Sequence, residues 1–286
     1  MGGDSEIGAA TARHIRGLGI GAVATTRRRE RVAADRPFLD LTLPLAEWRP
    51  PADISAACIF AAISRLQACE EDPAGSSFIN VAQTIALAER LLESGISVLF
   101  LSTDKVFDGT RPHVPADTPT NPVSEYGRQK ASAEEVLRRH MQAGAPVALL
   151  RLAKVVSPGM PLLRQWIAAF AAGDPVPAFS DMRAAPVPVA IVSGAIAGLL
   201  DQTSRGIFQL TGPRDVSYAE IALYLARKAG ADAELVTPVS ARSAGMAEGS
   251  TPHHTTLDIA AIRDRLGIIV PDPWTVIDDL AETCRD

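Results

Sequence analysis

The sequence predicts an α/β fold: a doubly wound parallel sheet followed by a smaller C-terminal α/β domain. Three features point there. Short apolar, β-favouring runs at residues 58–63, 97–101, 145–152 and 206–211 are separated by stretches of helical character. The chain opens on Gly2-Gly3-Asp4-Ser5-Glu6-Ile7-Gly8 and runs straight into a helical segment, residues 9–18. Residues 99–130 then read as a strand end, a Pro- and Asp-rich loop, and a helix carrying Tyr126 and Lys130.

The opening loop has the composition of a dinucleotide turn, in which glycines let the backbone approach a pyrophosphate at a helix N-terminus, as in Rossmann-type folds. Its candidate cofactor residues are Gly2, Gly3, Ser5, Glu6, Ile7 and Gly8. Ser5 or Glu6 stands where a further glycine is usual, and a carboxylate beside a diphosphate would repel it unless turned away. No strand precedes the loop, although the first strand of such a sheet is central. Its loss would open a slot between its neighbours. Either residues precede Met1 in the natural protein, the preferred expectation, or the strand has been lost.

Residues 19–26 read as the next strand and end in Thr25-Thr26-Arg27-Arg28-Arg29, where an acidic residue would normally grip the adenosine ribose. Guanidinium groups there favour a 2′-phosphate and hence NADPH over NADH, the alternative being a solvated basic turn. This adds Thr26, Arg27 and Arg28 to the cofactor set. Residues 38–41 form a short third strand. The run 58–63 ends in Ala61-Ala62, small residues that admit a cofactor to the backbone, and residues 78–92 form an apolar helix. The helix of Tyr126 runs to about residue 140 and leads into the strand 145–152. From residue 158 the composition shifts to Pro, Gly and Ala, with an apolar helix at 189–200 and an amphipathic helix at 218–229. The strand 206–211 is expected to return to the main sheet. The boundaries that follow are a dinucleotide-binding domain over 1–152, rejoined by 189–211, and a second domain from 153–188 and 212–286.

Composition excludes other classes. The chain has 286 residues, enough for one large or two small domains with a substantial core. A formal net charge of -5 argues against a general nucleic-acid binder. Cys58, Cys69 and Cys284 make neither a disulfide framework nor a zinc spacing, which fits a reducing, cytoplasmic setting. No run approaches a membrane span in length, and no secretory pattern opens the chain. His253 and His254 have no acidic or cysteine partner nearby in sequence, so no metal site is expected.

Tyr126 and Lys130, four apart on a helix, share a face, so a phenol and an ammonium can be held over the end of the preceding strand. An adjacent ammonium stabilises a phenolate, which makes Tyr126 a candidate acid for a carbonyl oxygen, and Thr103 could donate a second hydrogen bond to it.

These residues resemble a known family. Ser102-Thr103-Asp104-Lys105-Val106-Phe107-Asp108-Gly109, Asn121-Pro122 and Tyr126-Gly127-Arg128-Gln129-Lys130 are similar to the S-T-D-Y-V-F-D-G, N-P and Y-G-x-x-K motifs of dTDP-4-dehydrorhamnose reductases, which are extended short-chain dehydrogenases/reductases. The resemblance implies catalysis by Thr103, Tyr126 and Lys130. It implies cofactor contacts from Asp40, Leu41, Ala61, Ala62, Ser102, Tyr126 and Lys130, with NADP(H) or NAD(H) as cofactor. It also implies a nucleotide-sugar substrate, is compatible with a homodimer, and places Asn80 where a family Asn ties helix to sheet. Asp104, Lys105 and Lys154 fall at substrate positions. Lys105 replaces the Tyr after Ser-Thr-Asp, and Lys154 replaces an aromatic of R-x-x-W-x-Y-G, so the two ammoniums either favour a more acidic sugar or point to solvent. The function implied is NADPH-dependent reduction of a nucleotide-linked 4-keto-6-deoxysugar. The alternatives are a non-catalytic regulatory subunit that binds NADP, and an epimerase or dehydratase of the same fold. Lys105 stands where a dehydratase carries a working Glu, which argues against that last chemistry.

Overall fold

A computed structural model describes residues 1–201, 203–246, 249 and 251–284. Its main sheet has four parallel strands, β1 (Ala56–Ile59), β2 (Ser97–Thr103), β3 (Val147–Leu152) and β4 (Gly206–Leu210), hydrogen-bonded in that order. Every residue of β2 and β3 is buried, as expected where helices cover both faces of a parallel sheet. Alternation along β2 decides which face each residue serves. Val98 and Phe100 join Ala57, Ile59, Val147 and Leu149 beneath helices α2 (Thr84–Glu93) and α3 (Glu125–Gln142). Leu99 and Leu101 face the other way, with Ala148, Leu150, Phe208 and Leu210, against Val192, Ala195, Ile196 and Leu199 of helix Val189–Leu199. The first helix, α1 (Glu6–Gly17), packs against that same helix.

A second core lies in the C-terminal half. Trp166 and Phe170 of helix Pro161–Ala172, Ile221 and Leu225 of helix Tyr218–Ala229, and Ile277 and Leu280 of helix Pro273–Glu282 pack with Val176 and Val236 of a two-stranded parallel pair. Ser217 and Glu220 form a reciprocal cap at the start of helix Tyr218–Ala229, and Gly230, at φ 68°, ends it.

The structure departs from the sequence reading where the sheet lacks a neighbour. Of residues 19–26 only Thr26 is in ladder register, bridged to Phe38, and the expected strand 38–41 is likewise reduced to that bridge. The reason is one-sided pairing. Ala24 and Thr26 donate outward to the carbonyls of Asp35 and Pro37, while the inner side meets only the short Met1–Gly3 segment. No strand precedes α1. Instead the Met1 amine donates to the Cys58 carbonyl at 2.5 Å, Phe60 N–H donates to the Met1 carbonyl at 2.9 Å, and Gly3 N–H donates to the Thr25 carbonyl at 2.9 Å. The run 58–63 is strand only to Ile59, beyond which residues 60–63 leave the sheet. The helix expected at 78–92 starts as a π-helical turn, Phe78–Gln83, before α2. Asn80 within that turn ties the helix to the segment that follows β1: its Oδ1 accepts Ile63 N–H at 2.8 Å and its Nδ2 donates to the Ile63 carbonyl at 2.9 Å. Among the described residues no helix is long and apolar enough to cross a membrane.

Candidate active site

A cleft of about 280 Å³ at the C-terminal ends of the strands brings together Gly2, Ser5, Arg27, Arg28, Asp40, Leu41, Ala61 and Ala62, from four separate stretches of chain. Gly2 lines it, and the turn that carries Gly2 is packed tightly through its glycines. A Cβ on Gly2 would lie 2.9 Å from Ala61 N, one on Gly3 would lie 2.7 Å from the Ala24 Cβ, and one on Gly8 would lie 2.6 Å from the Gly2 carbonyl oxygen. Only glycine allows this approach, and Gly2 also needs its φ of 87°. Ser5 caps α1: its hydroxyl accepts Gly8 N–H at 3.1 Å and donates to the Gly2 carbonyl at 2.9 Å. Serine therefore closes the turn where a glycine is usual. The N–H groups of Glu6 and Ile7 have no partner among the described residues, leaving donors at the positive end of the helix. The Glu6 carboxylate takes the hydroxyl of Ser157 from across the chain.

Further along the cleft, Thr26 is buried and committed. It donates to Asp4 Oδ2 at 2.6 Å and accepts Arg28 N–H at 3.0 Å. Asp4 was not among the residues expected here, yet it fixes the turn that carries the arginines. Burial pushes its carboxyl up, but hydrogen bonds from Thr26 and Arg27, with Arg28 and Arg36 nearby, hold it below the ordinary value. Arg31 lies 3.8 Å from Asp4, and Arg29 stacks 4.5 Å over the Phe38 ring. The guanidinium groups of Arg27 and Arg28 have no ion pair or hydrogen bond among the described residues. Asp40 Oδ1 is used by Thr42, whose N–H and hydroxyl both donate to it. The glycine turn, the free first-turn donors and the uncommitted arginines fit a dinucleotide with an anionic adenosine end.

At the end of β2 the chain makes a short 3₁₀ turn, Asp104–Val106, against which the N-terminus of α3 is pressed. Gly127 makes that contact possible, since a Cβ there would lie 2.1 Å from the Lys105 carbonyl oxygen. Ser124 caps the helix through Gly127 N–H. The intervening loop is closed by Asn121, which donates to Asp108 Oδ2 at 2.8 Å and, through its backbone, to the Val106 carbonyl at 2.9 Å. The N-P and D-G motifs thus close the loop that brings Tyr126 within electrostatic reach of Asp104.

Thr103 donates to Asp104 Oδ1 at 3.0 Å, and Lys105 Nζ lies 3.8 Å from Asp104 Oδ2. Burial pushes the Asp104 carboxyl up. Burial, with the Asp104 charge adding to it, also pushes the Tyr126 phenol up. Lys130 does not counter this as its spacing suggested. Its Nζ donates to the Leu101 carbonyl at 2.5 Å and lies 3.8 Å over the Phe100 ring, and burial lowers it to about 7. Tyr126 is consequently a protonated donor across neutral pH. Ser102 Oγ, one residue before Thr103, is buried with no hydrogen-bond partner among the described residues.

Two further clusters border this end of the sheet. Asp215 accepts from Thr255 N–H and hydroxyl at 2.7 Å and from the Thr256 hydroxyl at 3.1 Å, pairs with His254 Nδ1 at 3.2 Å, and acts electrostatically on Asp104. Arg151, fully buried, binds Glu134 Oε2 at 2.6 Å, Gln209 Oε1 at 3.2 Å and the Ala116 carbonyl at 3.0 Å. Neither Asp215 nor Glu134 was singled out by the sequence, because each gains its partners from distant chain. Lys154 does not join the Tyr126 cluster. It is exposed and borders an apolar recess of the second core with Trp166 and Tyr218.

The RmlD substrate binding domain family model matches residues 1–284. A probable low-salt glycan biosynthesis reductase, Agl14, of Haloferax volcanii is 29% identical over 80% of this chain and 76% of its own length. A dTDP-4-keto-6-deoxy-D-glucose reductase of Streptomyces niveus is 27% identical over 91% of this chain and 88% of its own. The solved complex of Thermus thermophilus UDP-glucose 4-epimerase with NAD superposes with a TM-score of 0.80 at 21% identity, covering 99% of this chain and 97% of that one.

Proposed function

Since the chain belongs to the RmlD substrate binding domain family, we propose that it is an NADPH-dependent reductase of a nucleotide-linked 4-keto-6-deoxysugar. What supports this reading is the placing of Tyr126 and Lys130 on α3 against the end of β2, where Thr103 bonds Asp104 and Asp104 acts on Tyr126, together with a glycine-rich turn that fits a dinucleotide. NADPH, when bound, supplies the hydride. The N-terminus of α1 takes the diphosphate, Ala61 and Ala62 admit the cofactor to the backbone, and Arg27 and Arg28 take the 2′-phosphate.

The remaining chemistry belongs to the side chains. Tyr126 holds a proton that it gives to the oxygen developing negative charge at the reduced carbon. Thr103, whose hydroxyl now donates to Asp104, turns that hydrogen to the same oxygen. Lys130, anchored to the Leu101 carbonyl, positions the cofactor ribose side. The C-terminal domain, 153–188 with 212–286, takes the nucleotide sugar, with Asp104, Lys105 and Lys154 on the substrate side. The reductases of Haloferax volcanii and Streptomyces niveus support this class of reaction by their names.

The test is a turnover screen of NADPH against a panel of dTDP- and UDP-linked 4-keto sugars. NADPH oxidation that depends on a 4-keto-6-deoxysugar supports the reading. Absence of oxidation with every member of the panel contradicts it.

A further inference from the structure

Glu6 brings a carboxylate to the first turn of α1, where the free N–H groups of Glu6 and Ile7 offer an anion site at the positive end of the helix. Left to itself, that carboxylate is drawn to the same two donors, where it covers them and repels a diphosphate. The structure turns it elsewhere. Its Oε1 accepts the hydroxyl of Ser157, the one hydrogen-bond partner of this carboxylate among the described residues. Ser157 is placed for this by the fold. It follows Val155–Val156, which pairs in parallel with Val187–Pro188, and that segment runs directly into helix Val189–Leu199. The first helix, α1, packs on that same helix, and its Thr11 hydroxyl donates to the Ser193 hydroxyl at 3.4 Å. One helix therefore fixes both halves of the contact. Both residues also depart from glycine. Glu6 falls at a glycine position of the opening loop, and Ser157, counted from Arg151, stands at the last position of R-x-x-W-x-Y-G. Glycine at 157 offers no hydroxyl, and glycine at 6 has no charge to be held, so each departure makes sense of the other.

We propose, resting on the dinucleotide reading of the α1 turn, that Ser157 is a positioning residue for the cofactor: its hydroxyl holds the Glu6 carboxylate off the N-terminus of α1 and leaves that end open to the diphosphate. Without the hydroxyl, the nearest donors left to Glu6 are the first-turn N–H groups that the diphosphate needs. NADPH and NADH share the diphosphate, so the contact serves both alike, whereas Arg27 and Arg28 serve the 2′-phosphate that NADH lacks.

The experiment titrates NADPH and NADH, by fluorescence, into the full chain, Ser157→Ala, Ser157→Thr, Glu6→Gln, and Glu6→Gln combined with Ser157→Ala. Ser157→Ala raises the dissociation constants of both nucleotides by the same factor, about five- to twentyfold at low salt. The factor shrinks at about 0.5 M salt, because it is a charge effect at an exposed site. Ser157→Thr, which restores the hydroxyl, recovers most of the loss. In the Glu6→Gln background Ser157→Ala costs less than about twofold, since no charge is left to turn inward. A penalty of equal size with and without the Glu6 charge marks Ser157 as a packing residue and overturns the proposal. Unchanged dissociation constants in Ser157→Ala, or a penalty confined to one nucleotide, overturn it as well, and in each of these cases binding by the native chain keeps the dinucleotide reading intact. A native chain that binds neither nucleotide overturns both.

Discussion

Tyr126 keeps its proton through its surroundings rather than through its lysine. Burial and the Asp104 charge keep its proton on, and Lys130 is turned to the Leu101 carbonyl. Tyr126→Phe is therefore expected to lower turnover at least about a hundredfold while leaving the NADPH dissociation constant within about threefold, as read by fluorescence titration and steady-state rates. A Phe variant with undiminished turnover rejects the role. Lys130 yields a sign as well as a size. Its folded value, about 7, lies below the ordinary 10.5, so between those values the unfolded chain binds more protons than the native one. Stability contributed at this position rises with pH across that window, and the burden is fully present below it. Denaturant unfolding from pH 7 to 10 should show a gain in the native sequence that Lys130→Met lacks. The Tyr-x-x-x-Lys spacing was legible in the sequence; the direction of the phenol's shift was not, because Asp104 and the burial exist only once the loop 107–124 has folded. Arg27 and Arg28 were legible as a basic turn. What fixes them, the Asp4–Thr26 hydrogen bond, joins residues on opposite sides of α1. Replacing both arginines by Ala should weaken NADPH about tenfold to a hundredfold and leave NADH nearly unchanged, in parallel titrations.

At the level of elements, the approach of α3 to the turn after β2 decides whether the site exists. Gly127→Ala places a methyl against the Lys105 carbonyl, and backbone has nowhere to move at the capped start of a helix. Overpacking of this kind costs about 1–3 kcal/mol, so a lower unfolding midpoint is expected, with turnover falling further than stability alone explains. An unchanged midpoint and rate would show that the contact is slack. Helix Tyr218–Ala229 was readable from its amphipathic pattern and α1 from the helical run after the glycine loop, and the structure adds the caps that start them, Ser5 in one and the Ser217/Glu220 pair in the other. The strands expected at 19–26 and 38–41 were not realised as strands because β-propensity is spent on neighbours, and the inner neighbour is the short Met1–Gly3 segment. The π-helical turn at Phe78–Gln83 left no local signal. It is set by Asn80, held at once by Ile63 and by Gln129.

Across the whole molecule, one buried ion pair links the layers. Arg151 on β3 holds Glu134 on α3, Gln209 on β4 and the loop at Ala116, so the helix of Tyr126, the sheet and the loop 107–124 share one anchor. Arg151→Met leaves Glu134 as a buried, unpaired charge and should cost about 3–5 kcal/mol by chemical denaturation, whereas Arg151→Met with Glu134→Leu should recover much of that loss. Its members are too far apart in the chain for periodicity to reveal, although the doubly wound sheet they cross-link was readable from strand and helix alternation. The central claim is hydride transfer beside a tyrosine acid, and it is tested most directly by isotope. Purified protein is incubated with NADPH deuterated at the transferring position and a dTDP-linked 4-keto-6-deoxysugar, and the product is weighed by mass spectrometry. The account predicts one deuterium on the reduced carbon, with the signal lost in Tyr126→Phe. A product without deuterium, or no product from a folded protein that binds NADPH, would contradict it.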